Sequence, residues 1–105
     1  MTGAALLAED VLRLAAADLA LRDSAAAALI EAWIDHPPAL RVDEVQALPA
    51  DSVRTIVAML NLEHVLAEHA GACKRLKRGE INRLMGRLVD LVTVCTAALG
   101  ASPLH

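Results

Sequence analysis

Glu63, His64, Glu68, His69 and Cys73 crowd metal-capable side chains into one short stretch. Carboxylate, imidazole and thiolate are transition-metal ligands, and residues four apart share a helix face. His64 with Glu68 and His69 with Cys73 have that spacing. On one straight helix the two pairs point about 140° apart, so a single ion cannot take all four. A solvated face with a local His to Glu contact accounts for the same residues, and no metal is assigned. No Glu is followed by His three positions later, as di-iron bundles require, and neither cysteine belongs to a Cys-x-x-Cys pair.

Cys73 precedes Lys74 and Arg75, and neighbouring cations lower a thiol's pKa, which makes it the redox candidate. Cys95 falls on a helical seam and reads as a small apolar residue. Lys74, Arg75, Lys77 and Arg78, continued by Arg83 and Arg87, form a basic run able to contact a polyanion. Cations in the last turns of a helix, facing its carbonyl end, explain the same run without a ligand. No Ser, His and Asp arrangement, glycine-rich phosphate loop or close acid pair is present. No catalytic residue, enzymatic activity or cofactor is assigned.

The elements that carry these residues follow from composition. The 105 residues are 56% hydrophobic, yet the only aromatic is Trp33. Ala, Leu, Val and Ile without aromatics suit helices packed on helices and offer little to stack a base or flat cofactor. This length supports one domain, 1–105, with one core. The net charge of −3 divides unevenly: residues 1–50 are acidic, the remainder basic. Such halves attract each other within a fold or between copies. The chain lacks a basic leader, a membrane-length apolar run and a disulfide framework, so the expected setting is the reducing cytoplasm.

Residues 4–35 contain neither Gly nor Pro, which predicts a long Ala-rich helix or two nearly collinear ones. Asp18 and Arg22 lie opposite the other charges of that helix. Either they pair in a contact with another chain, or the helix breaks near Arg22-Asp23-Ser24 and restarts under an Asp23 or Ser24 cap. His36-Pro37-Pro38 opens a linker, 36–50, with a short helical turn from Val42 to Leu48. Helices follow at 51–72, closed by Gly71 or Gly79, and at 80–99, ended by Gly100 and Pro103. In the last, Ile81, Leu84, Leu88, Leu91, Cys95 and Ala98 make a seam that Met85, Val89 and Val92 widen.

The expected fold is an all-α three- or four-helix bundle with a long N-terminal helix or helix pair and a Pro-bounded linker. Its N-terminal segment is apolar over more of its circumference than one core covers. That surplus predicts a non-catalytic interaction module, a homodimer or small adaptor subunit, contacting a protein partner through Leu14, Asp18, Leu21, Arg22 and Trp33. Trp33 also reads as an anchor holding the Pro-Pro turn on the core. The alternatives are a nucleic-acid-associated regulator using the basic run and, last, a metal- or redox-sensing protein.

Overall fold

The computed structural model describes residues 5–36 and 40–100. The helix start at Ala4, the stop at Pro37 and Pro38, and Pro103 lie outside them. Among the described residues the chain is all-α, with seven helices and one isolated parallel bridge, Leu6 to Leu76.

Helix α1, Ala8–Ala20, carries Glu9 and Asp10 in its first turn, where the dipole favours anions. The Leu7 amide donates to Asp10 Oδ2 at 2.7 Å, and the Ala8 amide to Glu80 Oε1 at 2.9 Å. These bonds satisfy two of the amides that a helix start leaves open. The chain then turns at Leu21, Arg22 and Asp23 into α2, Ser24–Asp35. Asp23 is extended and its carboxylate caps α2, accepting from the Ala26 amide at 3.0 Å and from the Ser52 hydroxyl.

Of the two N-terminal arrangements open from sequence, the broken one occurs, with α2 folded back along α1 rather than collinear with it. Arg13 of α1 reaches Asp35 of α2 at 2.7 Å. Buried Ala15, Ala16, Ala26 and Ala27 leave room for this approach.

After α3, Val42–Gln46, helix α4 spans Ala50–Met59 from Pro49, and α5 and α6 follow at Leu62–Glu68 and Ala70–Cys73. The continuous helix expected over 51–72 is thus interrupted twice. Asn61 causes the first break: Nδ2 donates to the Val57 and Ala58 carbonyls, while Oδ1 accepts the His64 amide at 2.8 Å. Its amide side chain ends one helix and caps the next. The second break is at His69 (φ −122°, ψ 36°), whose Nε2 lies 3.2 Å from Asp18 Oδ2.

Helix α7, Arg78–Gly100, is the axis of the fold, with α1, α3, α4 and α5 packed against it. Leu84, Leu88, Leu91, Cys95 and Ala98 are buried at the expected spacings and meet Leu12, Leu19, Ile30, Ile56 and Val65 in one core. Full burial of one such leucine stabilises by about 1.5–3 kcal/mol relative to exposure.

Candidate functional site

The back-turn between α1 and α2 gathers side chains distant in sequence. Asp18 holds His69 there, tying α1 to the α5–α6 junction, and Asp23 holds Ser52 of α4. At this turn lies a groove of about 800 Å³ lined by Asp18, Leu21, Arg22, Ala58, Met59, His64 and Glu68. Leu21, on its edge, is 86% exposed. Arg22 and Glu68 make no hydrogen bond or ion pair among the described residues. Asp18 pairs with His69 and not with Arg22.

Leu14, named with these residues from sequence, lies on α1 seven positions before Leu21, and Leu7 a further seven before that. They are 44% and 51% exposed; the heptad spacing sets Leu14 and Leu21, at the C-cap of α1, along one face, while Leu7 is the extended residue that precedes the helix. Leu66, Met85 and Val89 are exposed as well, so the surplus apolar surface is not confined to the N-terminal helices. The widened α7 seam leaves Met85 and Val89 partly in solvent.

Trp33 does not join this corner. It is only 6% exposed, and the Arg87 guanidinium lies 4.3 Å from its ring centroid while Nη2 donates to the Trp33 carbonyl at 2.9 Å. Arg87 Nη1 stands 3.7 Å from Glu9 Oε2 and, although buried, has no hydrogen bond among the described residues. Burial pushes the Arg87 pKa down against the pull of Glu9. Arg83 binds Glu9 and also Glu80, the latter at 2.7 Å. The Arg83 hydrogen bond holds the Glu9 carboxyl below its ordinary value. These groups form a clasp joining α1, α2 and α7.

The basic run is therefore divided. Arg83 and Arg87 turn to Glu9, whereas Lys74, Arg75, Lys77 and Arg78 are exposed around buried Leu76, which the bridge to Leu6 holds. The four do not occupy the last turns of a long helix. Gly79 lies inside α7 rather than closing its predecessor, so Lys77 and Arg78 stand at the positive end of a 23-residue helix. The dipole that was to explain these cations opposes two of them.

Cys73 is 7% exposed, and burial pushes its thiol pKa up; the adjacent cations do not produce the depressed value expected from sequence. Burial raises Cys95 to about 11. Neither is primed as a thiolate. Glu63, His64, Glu68, His69 and Cys73 do not converge, and among the described residues no three His, Cys, Asp or Glu side chains form a metal-holding group.

A second hollow, about 450 Å³, is lined by Trp33, His36, Leu40, Arg41 and Glu44 among others. There Arg41 pairs with Asp43 at 3.1 Å and its amide donates to Glu44 at 2.9 Å. Its lining cation and carboxylate are already engaged, unlike Arg22 and Glu68. No described helix is long and apolar enough to cross a membrane. Compared with known proteins, the chain matches no family model, no curated protein and no solved structure.

Proposed function

We propose that this chain is a non-catalytic helical interaction module, a homodimer or the small adaptor or accessory subunit of a larger assembly, which makes contact through the α1–α2 corner. One observation carries the reading: a leucine 86% exposed stands beside a groove whose Arg22 and Glu68 are unpaired among the described residues. Exposed leucine contributes nothing to the core, and covering it removes apolar surface from water. Leu14 extends the contact along α1, while Trp33 serves as an internal anchor. A cytoplasmic setting is part of the proposal, supported by two free cysteines in a chain without disulfides among its described residues.

Immobilised chain exposed to extract of its native host tests the reading. Leu21→Asp should reduce specifically retained protein at least about tenfold, as loss of a central apolar anchor does. Thr93→Asp, an exposed change on α7, should leave retention intact. Equal retention by wild type and Leu21→Asp would contradict the assignment of the surface.

A second reading, contact with a nucleic-acid polyanion through Lys74, Arg75, Lys77 and Arg78, is favoured by the placement of Lys77 and Arg78 at the wrong end of α7 for stability. It predicts duplex binding that weakens as salt rises and is abolished by charge reversal at the four positions. Salt-independent binding would sink it.

A further inference from the structure

We infer that the occupant of the corner groove is a second copy of this chain, related by a two-fold axis. In this arrangement Leu21 of each copy seats on Ala58 and Met59 of the other, and Arg22 of each meets Glu68 of the other. The inference rests on the reading of the corner as a contact surface and names its partner.

The argument is self-complementarity. A foreign partner requires only that the chain present half of each interacting pair. A two-fold contact requires both halves on one patch, because each surface meets itself. This patch has both. Leu21 projects beside a hollow that Ala58 and Met59 line, and Arg22 and Glu68 supply a cation and an anion that are not spent on each other or on other described residues. Of the two acids in the groove, Asp18 stands beside His69, its Oδ2 3.2 Å from the imidazole Nε2, whereas Glu68 has no partner among the described residues. In the proposed dimer the two-fold rotation brings Glu68 of each copy to Arg22 of the other. The contacts from Asp18 to His69 and from Asp23 to Ser52 already join the α1–α2 turn to α4 and the α5–α6 junction before association, which limits the ordering cost of binding.

Sedimentation equilibrium of the full chain, from micromolar to near-millimolar concentration, tests this. The mass should rise from 11.1 kDa toward twice that value. Leu21→Asp and Arg22→Glu should each weaken dimerisation at least about tenfold, with the helical circular dichroism unchanged. The double variant Arg22→Glu, Glu68→Arg should restore it to within about threefold of wild type, because the pair is only exchanged. A wild-type mass that stays at 11.1 kDa, a dimer indifferent to Leu21→Asp, or a charge exchange without recovery would each overturn the inference. If the chain stays monomeric while Leu21→Asp still abolishes capture of host protein, the second-copy assignment falls and the contact surface stands. If neither dimerisation nor capture depends on Leu21, both fall.

Discussion

Two polar side chains set the course of the backbone. Asp23 was legible in part: Asp18 and Arg22 on the wrong side of an unbroken helix left open a break capped by Asp23 or Ser24, and Asp23 is the cap. Asn61 was not: on a helical wheel it joins the polar face, and nothing in its spacing shows that its amide will take the Val57 and Ala58 carbonyls and the His64 amide. Asn61→Ala should cost about 1 kcal/mol, a typical capping loss, measurable by urea denaturation. An unchanged midpoint would show that α5 starts without it. Carboxylates at this scale also set the acid response. The hydrogen bond from Arg83 lowers Glu9, and that from Ser52 lowers Asp23. Unfolding returns both to ordinary values, so their stabilisation is complete above those values and is lost as pH falls through the lowered ones. Thermal stability should therefore decline below about pH 4, less steeply in Glu9→Gln. Identical acid slopes for the two proteins would contradict the clasp.

At the scale of elements, periodicity located what packs but not where helices stop. The α7 seam was readable because leucines three and four apart can face only one core, and Leu84, Leu88 and Leu91 are buried as that spacing requires. The break at Asn61 is made by its amide side chain, and at the break at His69 the imidazole meets Asp18, far away in the chain, a contact that no local pattern records. The same lack misplaced the cations: Gly79 looked like a helix end, yet the helix begins at Arg78 and runs through it. This yields a prediction with a definite sign. Lys77→Glu and Arg78→Glu should each stabilise the protein by about 0.3–1 kcal/mol at low salt, since anions suit a helix N-terminus. Were these residues in the closing turns of the preceding helix, both changes would destabilise it, and chemical denaturation separates the two cases.

For the whole molecule, the Ala- and Leu-rich composition together with helical spacing and long segments free of Gly and Pro pointed to an all-α fold, which the described residues adopt. The uneven charge is partly spent within the chain, where Glu9 from the acidic half meets Arg83 and Arg87 from the basic half across α1 and α7. The corner was legible only in part. Leu14, Asp18, Leu21 and Arg22 were identified from the helix that carries them, but Ala58, Met59, His64 and Glu68 reach the groove only through the fold. Trp33 was grouped with them as the single large ring, and the Arg87 stack accounts for it inside the molecule instead. The central claim is that the α1–α2 corner is covered by protein in the cell. A photo-cross-linking amino acid at position 21, expressed in the native host, should yield covalent protein adducts under irradiation, to this chain or another, with none from the same group at position 93. Absence of adducts at position 21, or equal yield from both positions, would contradict it.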